Sequence, residues 1–252
     1  MWFWVITSCL ALFFLTWLGI SIYIRIIAPG RIFEIDKSNI KLHIKHQKTY
    51  LKNKSGEKIE IVTIPNKHRK NIILYLHASV GRLMNVLTRL REFGTVVSPA
   101  YSGYAGSEGN PNTKKIYEIV DVVMKDLFEK GYKQRDVTVI GHSMGGVPAI
   151  YAAVKYPNLK KVVLVNVFYS LMKICNRDHY GFCLFTFNLL NNGLLAGKTK
   201  AKIRQFHAKA DRIVPFEDGK LLFEKLGSKD KKFFEIKGTH RFFSVRNTLT
   251  KE

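Results

Sequence analysis

Acidic residues are scarce in this 252-residue chain: 19 Asp and Glu stand against 41 Lys and Arg, a formal charge of +22. An excess of this size ordinarily points to nucleic acid or an anionic membrane surface. The cations are spread along the whole chain, however, with no zinc-finger spacing, RNP-like aromatic motif or isolated basic recognition helix, so no specific nucleic-acid partner is expected. They read mainly as solvated surface, with anionic lipid as the second reading. Cysteine is equally sparse. Cys9, Cys175 and Cys183 cannot all pair within the chain, and no two have C-x-x-C spacing, which argues against a zinc site and for a reducing compartment. No metal or organic cofactor is expected, and no internal repeat or low-complexity tract is present.

Charge is missing altogether between Trp2 and Ile24. That run is long enough to cross a hydrocarbon layer as a helix. It lacks the basic n-region and the small-x-small site of a cleaved leader, so residues 1–27 read as a transmembrane anchor. Ile6-Thr7-Ser8-Cys9 loosely resembles a lipobox but lies too early for one. A helix buried in a soluble core would leave the Trp2/Trp4 and Tyr23/Arg25 flanks without a reason. From Arg25 to Lys70, twelve Lys and Arg face four Asp and Glu. The positive-inside tendency therefore places the body of the protein, residues 28–252, on the cytoplasmic side of a single-pass membrane protein.

That body is long enough for one domain with a core of its own. Alternating runs at 40–44 and 58–62 predict antiparallel edge strands. The nearly continuous apolar run Asn71 to His77 predicts a strand buried on both faces. Helix and short apolar run then alternate: a helix over 83–93 before a strand at 95–97, a helix over 113–130 before 137–140, and a helix over 144–156 before 161–165. This rhythm specifies right-handed crossovers on a mostly parallel central sheet flanked by helices, an α/β fold with its chemistry at the carboxyl ends of the strands. Residues 170–200, rich in leucine and aromatics, break the rhythm and read as a small helical cap. A strand at 203–207, a helix over 216–226, a strand at 232–236 and a last helix from about 241 complete the chain.

The sharpest local signal is Gly141-His142-Ser143-Met144-Gly145, which directly follows one strand and precedes a helix. In that setting G-x-S-x-G holds a serine on a strained strand-to-helix turn, with small neighbours relieving the crowding. A serine hydroxyl needs a base, and the base needs an acid to orient it. Asp211 and His240 each lie four residues beyond a later strand, in the order Ser, Asp, His. Asp178, Asp218 and Asp230 compete for the acid, and His142, His179 and His207 for the base, each from a less suitable place. Backbone N–H groups of Met144 and of the loop His77-Ala78-Ser79-Val80-Gly81, with Ser79 preferred, are candidates for the oxyanion hole.

With those residues placed, the chain resembles the α/β-hydrolase superfamily, and within it the membrane-anchored serine hydrolases of the Bem46 and ABHD13/ABHD17-like group. The resemblance rests on five segments: the loop His77 to Gly81, the segment Tyr101 to Gly109 ending in Ser-Glu-Gly, the elbow Gly141 to Gly145, the acid loop Ala210 to Pro215 and Gly238-Thr239-His240. It implies an acyl hydrolase working through Ser143, Asp211 and His240 on an ester or thioester, with lipid or acylated protein among its substrate classes. Phe182, Leu184, Phe185, Phe187, Leu189 and Leu190 are candidates for lining an acyl pocket. Three departures stand out. Ala78 occupies the usual glycine position of the oxyanion loop, while Ala100 and Ser102 stand where an aspartate and an arginine often form an ion pair. Ala78 keeps a second reading open, a weak or inactive membrane-bound binding or scaffold protein on the same fold.

Overall fold

The computed structural model describes residues 2–33, 35, 44–82, 84–174, 189–241 and 244–251. Its centre is one eight-stranded sheet in the order β1-β2-β4-β3-β5-β6-β7-β8. The strands are β1 (Gln47–Lys52), β2 (Lys58–Ile64), β3 (Ile72–Leu76), β4 (Thr95–Pro99), β5 (Val137–His142), β6 (Lys161–Val165), β7 (Ile203–Ala208) and β8 (Lys231–Ile236). β1 pairs antiparallel with β2 and β2 with β4, and every pairing from β4 through β3 to β8 is parallel. This is an α/β-hydrolase core.

The central strands carry almost no polar residues because both of their faces are covered. Alternate side chains divide between two apolar cores. Ile72, Leu74 and Leu76 of β3, Val137 and Val139 of β5, and Val162 and Leu164 of β6 enter the larger one. Ile73, Tyr75, Ile140, Val163 and Val165 point to the other. On the larger side lie α3 (Thr113–Glu129) and α4 (Gly146–Lys155). α3 begins at Asn112, whose side chain accepts the Lys115 N–H, and it buries a stripe at helical spacing from Ile116 through Val123 to Leu127. α2 (Met84–Leu90) and the final helix, α7 (Val245–Thr250), cover the opposite face and meet each other there. α5 (Gly193–Ala196) and α6 (Phe216–Lys225) flank β7.

Several boundaries differ from the sequence expectation for local reasons. The fourth helix is preceded by a 3-10 turn over Ser143–Gly145 and begins only at Gly146. The last helix starts at Val245 rather than near 241, because the Ser244 side chain caps the Asn247 N–H. The expected edge strand at 40–44 falls largely outside the described residues. The described edge strand, Gln47–Lys52, is exposed along nearly its whole length and so carries no clear two-residue apolar pattern.

At the N-terminus α1 (Trp2–Ile32) runs for 31 residues. Its first 18 residues, Trp2–Gly19, have a mean hydropathy of 1.7, and none of that window is buried against the rest of the chain. That window is therefore not part of the domain core, and its length and composition are consistent with a single membrane-spanning segment.

Sheet order also locates the chemistry. After β3 the chain crosses to β4 on one side and then to β5 on the other, so the connections reverse direction at β3. In open α/β sheets the crevice at such a switch point, beyond the carboxyl ends of the strands, is the preferred ligand site. Here it lies between the loop after β3 and the turn after β5.

Candidate active site

Ser143 occupies the turn after β5 with φ of +52°, in the left-handed region that non-glycine residues rarely adopt. Surrounding glycines make the turn possible. A methyl added at Gly141 would sit 2.6 Å from Ala149 Cβ, and one at Gly145 would run into the backbone carbonyl of Leu76. The turn is thus wedged between β3 and α4, and its hydroxyl is held at the strand end.

The structure brings Ser143, His240 and Asp211 together from three separate loops. Ser143 Oγ lies 2.8 Å from His240 Nε2, and His240 Nδ1 lies 2.7 Å from Asp211 Oδ2. The other carboxylate oxygen of Asp211 accepts the backbone N–H groups of Ile213 and Val214, each at 2.9 Å. Burial pushes the Asp211 carboxyl up, but its bonds to His240 and to these two amides outweigh that and hold it below its ordinary value. An ionised Asp211 fixes the proton of the neutral imidazole on Nδ1. Nε2 is then left as the acceptor facing the serine hydroxyl.

Two further residues hold the histidine loop, and neither was singled out for this from sequence. Asn166, just past β6 with φ of +51°, donates from Nδ2 to the carbonyls of His240 at 3.0 Å and Thr239 at 3.2 Å. Its Oδ1 accepts the Ala208 N–H at 2.9 Å, tying the end of β7 to the same loop. The available signal was a polar residue closing an otherwise apolar buried strand. His142, weighed in sequence only as a rival base, is fully buried, and its Nε2 lies 2.8 Å from the His240 carbonyl oxygen. A carbonyl can only accept, so Nε2 carries the proton of His142. Burial lowers the pKa of His142 to about 4, against the smaller upward pull of that hydrogen bond.

The sign of this shift gives a pH prediction. Between pH 6.5 and about 4 the unfolded chain protonates at His142 and the folded chain does not. Stability is thus complete above 6.5 and falls as pH drops through that window, by about 3 kcal/mol from this group. Chemical denaturation at pH 7 and pH 4.5 should show a smaller loss on acidification for His142→Gln than for the wild type. Equal losses would show that His142 does not titrate in this way.

The competing candidates have other partners. His207 Nε2 donates to the Val214 carbonyl at 3.0 Å. Asp218 accepts the Tyr169 N–H at 2.7 Å, and Asp230 pairs with Arg204 at 2.7 Å. Asp178 and His179 lie outside the described residues, as do Phe182, Leu184, Phe185 and Phe187 and much of the expected cap. Among the described residues no group of three or more His, Cys, Asp or Glu is placed to hold a metal ion.

The loop after β3 is firmly held. Ala78 and Gly81 form a bridge, the His77 Nδ1–H donates to the Ala78 carbonyl at 2.7 Å, and the Tyr101 hydroxyl donates to the His77 carbonyl at 2.9 Å. An ion pair does lie beside Ala100, whose N–H donates to the Glu60 carbonyl at 2.8 Å. Buried Arg82 pairs with Glu60, and Lys48 reaches the other Glu60 oxygen at 3.1 Å. An apolar cleft of ≈ 130 Å³ opens onto Ser143, walled by Ser79, Met144, Phe168, Leu171, Leu190 and Ile213.

An α/β-hydrolase fold with a serine, histidine and aspartate in hydrogen-bonded series defines a serine-dependent hydrolytic enzyme. Comparison with known proteins agrees with the fold. Residues 94–179 match the family described as alpha/beta hydrolase fold. An uncharacterized membrane protein of Saccharomyces cerevisiae is 28% identical over 210 residues, which cover 78% of this chain and 74% of that protein. The human alpha/beta hydrolase domain-containing protein 17B is 26% identical over 132 residues, 52% of this chain but only 44% of its own length. That match spans under half the length of the 17B protein and is a similarity over about half of this chain. Among solved structures, an esterase of Pyrococcus furiosus superimposes with a TM-score of 0.67 at 18% identity, covering 82% of this chain and 90% of that one. The esterase of Exiguobacterium antarcticum gives 0.59, also at 18% identity, over 80% and 95%. At such identities these structures show a shared fold.

Proposed function

We propose that the protein is a membrane-anchored acyl hydrolase that cleaves carboxylic esters or thioesters through an acyl-enzyme on Ser143. The 2.8 Å contact between Ser143 Oγ and His240 Nε2 carries the reading. In the first half-reaction Ser143 Oγ attacks the carbonyl carbon as its proton passes to His240 Nε2. Asp211 stabilises the resulting imidazolium. The Met144 and Ser79 N–H groups are assigned to the oxyanion. His240 then protonates the leaving alcohol or thiol; water next attacks the acyl-enzyme with His240 as base, the acyl–Oγ bond breaks as His240 returns the proton to Ser143 Oγ, and the carboxylic acid is released.

The apolar wall of Phe168, Leu171, Leu190 and Ile213 supports an acyl chain as the group accepted beside the serine. Lipid esters and acylated proteins are the substrate classes in keeping with an N-terminal membrane helix, and residues 170–200 are assigned to a cap over the cleft. The basic flank after the helix supports a cytoplasmic catalytic domain. The sequence segments quoted above support kinship with the narrower Bem46 and ABHD13-like group.

A fluorophosphonate probe tests the chemistry on the full chain in neutral detergent. One adduct per chain, mapped by mass spectrometry to the peptide containing Ser143, is the expected result, together with hydrolysis of short acyl esters and thioesters. A folded wild-type protein that neither labels nor hydrolyses them would overturn the reading in favour of a binding protein.

A further inference from the structure

A second cleft, of ≈ 460 Å³, opens between α2 and the segment that follows β8. Asn85, Arg89, Lys237, Arg241 and Ser244 line it, over an aliphatic floor that includes Val245. Its lining residues are neighbours in sequence of the segments that build the candidate active site. Lys237 and Arg241 bracket the loop that carries His240, and Arg89 lies on the helix that follows the Ser79 loop.

Three cations thus line one concavity whose lining contains no carboxylate. Elsewhere several described acids are engaged with other cations, as Asp121 with Lys155 at 2.7 Å, Glu57 with Lys115 at 2.6 Å and Asp230 with Arg204 at 2.7 Å. Glu92, close by, lies 3.4 Å from Arg246, which is not part of this lining. Among the described residues no acid pairs with Arg89, Lys237 or Arg241. Like charges facing one cavity repel, and a concave wall focuses their field on whatever anion enters.

We propose that this cleft is a phosphate-binding subsite. Two guanidinium forks suit bidentate bonding to phosphate oxygens better than a lone ammonium does. Lys237, the Ser244 hydroxyl and the Asn85 amide add donors for the remaining oxygens. A phosphate carries about two charges and several acceptor oxygens, matching this set better than a single carboxylate. The group has two sources, a soluble phosphomonoester or the headgroup of an anionic phospholipid, and the site is independent of whether Ser143 turns over an acyl substrate.

Binding to the full chain in neutral detergent tests the proposal in two arms. The first titrates inorganic phosphate and glycerol 3-phosphate calorimetrically against chloride at matched ionic strength. The second counts bound lipid by native mass spectrometry with phosphatidic acid or phosphatidylcholine. Saturable binding of one phosphate-bearing ligand is expected, weakened about tenfold or more in Arg89→Gln/Lys237→Gln. The distant, equally charged change Lys198→Gln/Lys200→Gln should leave it within about twofold, while Arg89→Lys, which keeps the charge but not the fork, should fall between. Saturation in the first arm identifies a soluble ligand, and saturation confined to phosphatidic acid identifies a headgroup. No saturable binding by wild type in either arm would overturn the proposal. So would equal weakening by both double variants, which would mean diffuse attraction to a +22 chain.

Discussion

Ser143→Ala should lower kcat for short acyl esters by roughly 10⁵-fold or more while leaving KM and the unfolding midpoint close to wild type. The Ser143 hydroxyl bonds to His240, and the small side chain contributes little to packing. Alanine meets the same backbone demand at φ of +52° as serine does. Loss of covalent labelling should accompany loss of turnover. Retention of even a hundredth of wild-type kcat, measured with a purified variant free of contaminating esterase, would remove Ser143 from the chemistry.

Asp211→Asn should cost about 10⁴-fold in kcat, although it changes hardly any volume. Asp211 Oδ1 accepts two backbone N–H groups, from Ile213 and Val214, so an asparagine must keep its carbonyl oxygen there. Its amide N–H₂ would then face His240 Nδ1, the position where the carboxylate now accepts the Nδ1–H hydrogen bond. To meet a donor, Nδ1 must become the acceptor, which moves the ring proton to Nε2. Nε2 would then donate toward Ser143 rather than take its proton. Steady-state kinetics at pH 7 should show the loss in kcat; a change confined to KM would show that Asp211 aids binding alone.

The hydrogen-bonded series of Ser143, His240 and Asp211 was legible in the sequence because each member follows a strand whose apolar run is unmistakable. Ser143 sits after β5, Asp211 after β7 and His240 after β8, and chain order separated them from their rivals. What supports those residues was not legible. His142 and Asn166 act on a carbonyl 98 and 74 residues away, and no local pattern announces such a contact. Glu60 and Arg82 likewise meet across 22 residues, so sequence comparison registered only the absence at Ala100 and Ser102. The first edge strand escaped because a ribbon exposed on both sides has no hydrophobic face to mark it. The parallel strands were the easiest to read, since burial on both sides leaves only one kind of residue acceptable.

Ser143, His240 and Asp211 are tethered to different strands, and Asn166 joins the ends of β6 and β7 to the histidine loop through only three hydrogen bonds. Loops held in this way open at a smaller free-energy cost than the two apolar layers beneath them. Warming should therefore separate the imidazole from its neighbours while the helices and the sheet are still intact. The enzyme would fall silent some degrees before it melts, and cooling from that interval would restore it.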